Sequence, residues 1–535
     1  MANASIPVGG LADTARTPGP GRGGFSRTSL VRPYARMRLD QLAREDAALA
    51  QRRTLRRLVE KAAGTRFGKH HDFAGIRTVE DFQRRVPLRT YGQLWDDYWK
   101  RAFPDLVDVT WPGRIPFFAV SSGTASGKVK YIPTTKPMVR ANSRAAFDTV
   151  VYHLGCTPDS RLADGTFFLL GGSTDLKELS TGVFAGDISG IAFRCQPWWS
   201  RPFAFPPSEL RFLTDWEEKI GRIAPLSLLR DVRGLSGAPG WLLVLFETLA
   251  ALRPHTSGRL VDLYPNLELL IHGGVSFAPY RSRFEALLEG SRTKLREVYA
   301  ASEGYVAIAD RGPGEGMRLV ADNGLFFEFV PVEELGSPNP TRHWAGTIEP
   351  GIDYAIVLTT CAGLWGYLIG DVVRFVDTRP PRLLITGRTS YMLSSFGEHL
   401  TGELVETCVL AAARSLGLDV AEFTVGTQFG QARGEWGRHA YVVEFVGGIP
   451  DAARLRAFRD AVDRELALRN EDYDERRKVP TGLKEPVIET MPPGGFALWL
   501  KSRGRLGGQN KVPRVIGDQA LLQGLRTFAA EQRGG

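Results

Sequence analysis

An α/β fold with a large N-terminal domain and a smaller, mobile α+β C-terminal domain is predicted by three features of the sequence. Apolar, β-rich runs at Phe167–Gly171, Leu267–Ile271, Leu325–Val330 and Tyr354–Thr359 alternate with helical periodicity over Arg36–Gly64 and Lys136–Leu154. No internal period is present, which excludes a solenoid or a propeller. Beyond Leu383–Thr386 the pattern shifts to a predicted helix over Leu400–Leu416, strands over Phe423–Thr427 and Tyr441–Val446, and a helix over Asp451–Arg469.

The first 38 residues carry six arginines, a single acid at Asp13 and no apolar core of a secretory signal, so residues 1–35 are expected as a disordered tail. An organelle transit peptide shares that composition but needs an amphipathic period that is not seen here. Residues 36–387 then form the large domain and 388–535 the small one, with a hinge near Gly387–Arg388. Glycine and proline cluster at Gly312–Gly316 and Gly336–Pro340, expected as exposed connections.

At 535 residues, 43% hydrophobic and 24% charged, the chain is long enough for two to four domains or subdomains. Its net charge of +9 comes from arginines interspersed with acids, without the clustering or motifs of a nucleic-acid binder. No apolar run approaches the roughly 20 residues of a membrane span. Cys156, Cys195, Cys361 and Cys408 lie far apart with no CxxC pair, pointing to a reducing cytoplasm. The eight histidines form no HExxH or mixed His–Cys cluster, so no structural zinc is expected. Neither the stretch at Gly186 nor that at Gly234 makes a GxSxG elbow, which removes the sharpest sign of a hydrolase. A monomer acting on small molecules is expected, with no nucleic-acid or membrane partner.

The run Phe117–Thr135 reads as strand, loop and strand. Within it Ser121, Ser122, Thr124 and Ser126 offer hydroxyls, Gly123 and Gly127 admit close backbone approach, and Lys128 and Lys130 bring positive charge, as a nucleotide triphosphate requires. The spacing is not that of a Walker A box, and Val129 follows Lys128 where a serine or threonine would stand. A plain surface hairpin is the alternative.

Three further segments converge on the same guest. A strand from Leu267 delivers Gly273 and Gly274 at its carboxyl end, where a flat base can slide against bare backbone; tight packing of a strand turn explains the same glycines. Tyr299, Ser302 and Glu303 follow in one short stretch: a ring to stack on adenine, a hydroxyl for the nucleotide and a carboxylate for Mg²⁺, or else a capped turn. Asp371 interrupts an apolar strand after Gly370, a costly position unless its carboxylate accepts from two ribose hydroxyls or from a protein partner. Arg388 follows Gly387 at the hinge, suited to track a phosphate or to form an ordinary interdomain turn.

Taken in order, Ser121 to Gly127 (with Ala125 in place of a serine), Tyr299/Ser302/Glu303 and Tyr367/Gly370/Asp371 resemble the SSGTSxG, YxxSE and YxxGD motifs of the Gretchen Hagen, or auxin-responsive, acyl acid amido synthetases. The resemblance spans nearly the whole chain, as a bacterial-type homologue within the adenylate-forming superfamily. It extends to Asn470, Asp472, Tyr473 and Arg476 and to the closing segment with Lys511 and Arg514. The resemblance implies a firefly-luciferase-like fold and a ligase that uses ATP and Mg²⁺ to adenylate a carboxylic acid and conjugate it to an amine, such as an amino acid. It also implies catalytic roles for Glu303, His399 and Lys511, where His399 stands in place of a family lysine and is only partly charged near neutral pH. The acyl pocket is expected between the phosphate loop and Gly273, among aromatics such as Phe167, Phe168, Trp198 and Trp199. Transfer to a thiol such as CoA, or a non-catalytic nucleotide-binding homologue, are the alternatives.

Overall fold

The computed structural model describes residues 26–122, 129–171, 175–196, 204–213, 216–274, 277, 280–335, 337–389, 393, 400, 402–429, 437–478, 483–503 and 512–534. Helix formation begins earlier than expected. Residues Arg27–Ala43 are helical, Thr28 and Ala35 are buried, and Asp164 accepts hydrogen bonds from Ser26 and Thr28, so the fold starts within the expected tail. Nor is Arg36–Gly64 one helix: Asp46 accepts from the Leu49 amide and caps a second helix, Ala47–Ala62. Apolar periodicity ran through this junction because both helices bury one face, and the capping carboxylate marks the break.

The first helix is tied to distant chain through one guanidinium. Arg38 donates to Asp148 at 2.8 Å and to Asp322 at 3.0 Å. The second helix inserts Gln51, fully buried, whose amide donates to the Ala321 and Leu325 carbonyls and accepts from the Phe327 amide.

Among the described residues, twenty strands form three sheets. In chain order they begin with β1 (Phe117–Ser122), β2 (Val129–Thr134), β3 (Thr166–Leu169), β4 (Leu176–Ser180), β5 (Val183–Gly186), β6 (Ala204–Phe205) and β7 (Val232–Gly237). The central ones are β8 (Leu269–Gly273), β9 (Lys294–Ala301), β10 (Gly304–Ile308), β11 (Met317–Leu319), β12 (Leu325–Pro331), β13 (His343–Trp344), β14 (Asp353–Thr360), β15 (Tyr367–Thr378) and β16 (Pro381–Arg388). The last are β17 (Val420–Gln428), β18 (Arg438–Phe445), β19 (Val487–Met491) and β20 (Val515–Ile516).

The largest sheet runs β13-β12-β14-β15-β16-β11-β10-β9-β8-β7-β3-β6. From β9 to β6 its neighbours are parallel, with the helices Pro239–Leu252 and Arg281–Leu288 in the crossovers before β8 and β9; from β9 to β13 they are antiparallel. Burial on both faces accounts for the apolar run of β12, broken only by Glu328, which is met by Arg342 at 2.8 Å. The second sheet, β2-β1-β5-β4, holds the hairpin that flanks the expected phosphate loop, with Ser122 opposite Val129. The third, β19-β18-β17-β20, belongs wholly to the C-terminal part, whose buried cluster runs from Leu393 to Val515 while the main core ends at Leu383. The four cysteines are free thiols, and no helix among the described residues is long and apolar enough to cross a membrane.

Candidate active site

Ser302 and Glu303 form the two-residue turn of the β9–β10 hairpin, with Ala301 paired to Gly304. Gly304 adopts φ 153°, and a Cβ there would meet Leu325 Cδ2 at 2.4 Å, so the turn can close only on glycine. Both turn side chains are buried. Tyr299, on β9, donates its hydroxyl to Asp371 Oδ2 at 2.5 Å. Tyr367, on β15, donates to Glu303 Oε1 at 3.2 Å. Strands β9 and β15 are four places apart in sheet order, about 19 Å in a flat sheet. No Tyr–Asp pair spans that distance, so the sheet is not flat between these two strands.

Asp371 lies opposite Arg388 in the β15–β16 ladder, and Arg388 Nε donates to Asp371 Oδ1 at 2.5 Å. Both carboxylate oxygens therefore have protein partners. An acid in this strand is expected to be satisfied either by ribose or by the protein, and here the protein does it; a ribose hydroxyl would use the remaining lone pairs. Gly370, with φ 94°, turns the strand just before Asp371.

A second cation reaches the carboxylates from the other sheet. Lys130, on β2, is partly buried, its ammonium 5.7 Å from the Tyr91 ring, and its pKa is lowered chiefly by burial, against the attraction of Glu303 and Asp371. The Tyr91 hydroxyl in turn accepts from the Tyr131 amide at 2.9 Å, tying β2 to the rest of the site. Burial raises the Glu303 pKa, opposed by its own backbone amide and by Lys130. Tyr299 and Tyr367 are pushed far above their usual range by burial and then by the carboxylate each one faces. The arrangement is two acids, two cations and two phenols kept as hydrogen-bond donors.

The sequence reading singled out Tyr299, Ser302, Glu303, Asp371 and Arg388, and these come together. Ser121 ends in the same hairpin as Lys130, while the side chain of Ser122 and all of Gly123, Thr124, His399 and Lys511 lie outside the described residues. Tyr299 was expected as a stacking ring; it is 5% exposed, with its hydroxyl turned to Asp371. Gly273 has an explanation within the fold, since a Cβ there would meet the Val298 carbonyl oxygen at 2.2 Å. Gly274, at φ 83°, then turns the chain. Two partners escaped the sequence reading: Tyr367 as donor to Glu303, named only as a motif position, and Tyr91 beneath Lys130.

Among the described residues no three His, Cys, Asp or Glu side chains are grouped to hold a metal. Mg²⁺ does not need such a cage, because it keeps several waters and commonly takes one or two carboxylates together with substrate phosphates. A single carboxylate, Glu303, beside a cationic strand fits that donor set.

Matches to known families cover three stretches: the GH3 family N-terminal domain over residues 37–194, the GH3 family central domain over 318–388 and the GH3 family C-terminal domain over 403–520. The chain is 23% identical, over 88% of its own length and 91% of the relative, to a probable indole-3-acetic acid-amido synthetase, GH3.12, of Oryza sativa subsp. japonica. It is also 23% identical to the jasmonoyl-L-amino acid synthetase JAR6 of Nicotiana attenuata, covering 91% of this chain and 94% of that one. Among solved structures, GH3.15 acyl acid amido synthetase superposes with a TM-score of 0.76 at 18% identity, over 95% of this chain and 97% of the other. A 2-hydroxyisobutyryl-CoA ligase in the postadenylation state gives 0.58 at 16% identity, over 90% and 91%. These superpositions place the chain in the fold of adenylate-forming enzymes.

Proposed function

We infer that this chain, which belongs to the GH3 family, is an acyl acid amido synthetase: it activates a carboxylic acid as its adenylate and conjugates it to an amine, an amino acid in the relatives named above. The observation that carries the reading is the Tyr299–Asp371–Arg388 and Glu303–Tyr367 cluster at the carboxyl end of β9, where ligands gather in open α/β sheets.

In the first half-reaction the acid's carboxylate attacks the α-phosphate of ATP, and pyrophosphate leaves with the electrons of the broken P–O bond. Asp371 orients the ribose, Ser121, Ser122, Gly123 and Thr124 cradle phosphate, Gly273 and Gly274 leave room for the base, and Tyr299 and Ser302 border it. Lys130 and Arg388 supply charge opposite the phosphates, with His399 and Lys511 closing from the smaller domain. Glu303 would hold Mg²⁺, which when bound neutralises phosphate charge. In the second half-reaction the amine attacks the acyl carbonyl, loses a proton, and AMP departs. Rotation about Gly387–Arg388, the junction between the domains 36–387 and 388–535, exchanges the two half-reactions and excludes water. A cytoplasmic monomer acting on small molecules completes the reading.

The test is carboxylate-dependent exchange of labelled pyrophosphate into ATP across aryl, indolyl and aliphatic acids, with no amine present. Exchange with one class of acid is expected, followed by amide formation when amino acids are added. Thioester formation with CoA in place of amide would overturn the amido-synthetase assignment, and silence with every acid despite ATP binding would overturn catalysis.

A further inference from the structure

Lys130 and the carboxylates it faces stand on different sheets: the lysine on β2 of the second sheet, Asp371 on β15 of the large one, and Glu303 in the turn after β9. Three consecutive residues bridge the two. Arg89 lies beside Tyr367, its amide donating to the Gly366 carbonyl at 2.8 Å and its carbonyl accepting from the Leu368 amide at 2.9 Å. Two residues further on, the Tyr91 hydroxyl accepts from the Tyr131 amide and the Tyr91 ring lies under the Lys130 ammonium. The stretch therefore holds by its backbone the strand that carries the donor to Glu303, and by one side chain the strand that carries the cation.

Tyr91 is itself braced. Thr90 and Gln93 form a capping box, Gln93 Oε1 accepting from the Thr90 amide at 2.8 Å and Thr90 Oγ1 from the Gln93 amide at 3.4 Å. The helix Tyr91–Leu94 runs on into a π-helical turn, Trp95–Trp99, a rare geometry that is frequent at functional sites. Trp95 lies nearly parallel to the Tyr91 ring with centroids 5.9 Å apart, and Trp99 meets it edge-on at the same distance. Trp95 also stacks on Tyr131, the next residue to Lys130. The ring is thus ordered before any nucleotide arrives, and an ordered partner costs less to bind.

A lysine ammonium rides on a flexible four-carbon stem. Glu303 and Asp371 attract that of Lys130 and Arg388 repels it, yet among the described residues it closes no ion pair and rests 5.7 Å from the Tyr91 ring centroid. A ring face at that range attracts a cation, more strongly where the cation has lost part of its water. We propose that Tyr91 is the positioning residue for Lys130: its ring holds the ammonium off the two carboxylates and ready for phosphate, and its hydroxyl pins the β2 backbone beneath. The phosphate assigned to Lys130 rests on the adenylation reading.

A double-mutant cycle tests the role, read on pyrophosphate exchange at subsaturating ATP and on ATP affinity by equilibrium dialysis with Mg²⁺. Tyr91→Leu removes the ring and should slow exchange about five- to tenfold, the worth of a partly desolvated cation–π contact. In a Lys130→Gln background the same change should cost less than about twofold, because the cation it serves is gone. Tyr91→Phe keeps the ring, loses the acceptor and should stay within about threefold of wild type. ATP dissociation constants should show the same coupling. Loss of folded protein scales both backgrounds alike, so equal effects of Tyr91→Leu with and without Lys130 would overturn the proposal. Tyr91→Phe no faster than Tyr91→Leu would overturn it too, since the ring would then hold nothing. Wild type that binds ATP without exchanging pyrophosphate would sink the adenylation reading alone, and the cycle on ATP affinity then decides Tyr91.

Discussion

Glu303 accepts from the Tyr367 hydroxyl as well as from its own backbone amide, in a setting where burial works against its charge. Tyr367→Phe removes that bond and keeps the ring. The expected result is a fall in kcat of about tenfold with KM for ATP within about twofold, and a loss of about 1 kcal/mol in stability, the net worth of one hydrogen bond. Steady-state kinetics against ATP decide it: a raised KM with kcat intact would make Tyr367 a binding residue and sever it from Glu303. At this scale the sequence exposed the residues and concealed their pairing. Tyr299, Glu303, Asp371 and Arg388 stood out because acids and glycines interrupt apolar runs. That Tyr299 and Arg388 would share the Asp371 carboxylate was not legible, because the contact depends on sheet coiling between strands about 70 residues apart in sequence.

Strands and long helices were legible wherever burial imposed a period. Predicted runs at Leu325–Val330 and Tyr354–Thr359 fall inside β12 and β14, and the helix expected at Lys136–Leu154 is Lys136–Cys156. The part of the helix Arg27–Ala43 before Arg36 was taken for tail because its arginines and its Pro33 give that composition, while the helix is ordered by tertiary bonds to Asp164, Asp148 and Asp322. The junction of β8 and β9 shows the opposite case, a glycine whose functional reading has a structural rival. Gly273→Ala drives a methyl onto the Val298 carbonyl, a backbone atom that cannot rotate away. A loss of about 3 kcal/mol in urea unfolding is expected, with activity lost in proportion to folded protein. Unchanged stability with lost nucleotide binding would make room for the base, and not packing against Val298, the reason for Gly273.

For the whole molecule, the acid limb of stability has an identifiable contributor. His272 is 4% exposed, stacked on Phe277 with centroids 3.9 Å apart, and burial followed by Arg281 pushes its pKa down to about 4. The unfolded chain binds that proton from about pH 6.5 downward while the native chain refuses it until about pH 4, so stability falls as pH is lowered through this window, by about 3 kcal/mol in all. Urea melts of His272→Gln from pH 7.5 to 4 should show a shallower decline than wild type; parallel curves would exonerate the histidine. The α/β class and a smaller C-terminal unit with its own sheet were legible because each part repeats its own local pattern, whereas the coiled twelve-stranded sheet was not, being a sum of long-range pairings. Those pairings have a timetable. Arg38 is made 284 residues before its partner Asp322. At about 5–20 residues per second the ribosome leaves that guanidinium without Asp322 for roughly 15–60 s, and for the later part of that wait Asp148, made 110 residues after it, is its one partner of the two.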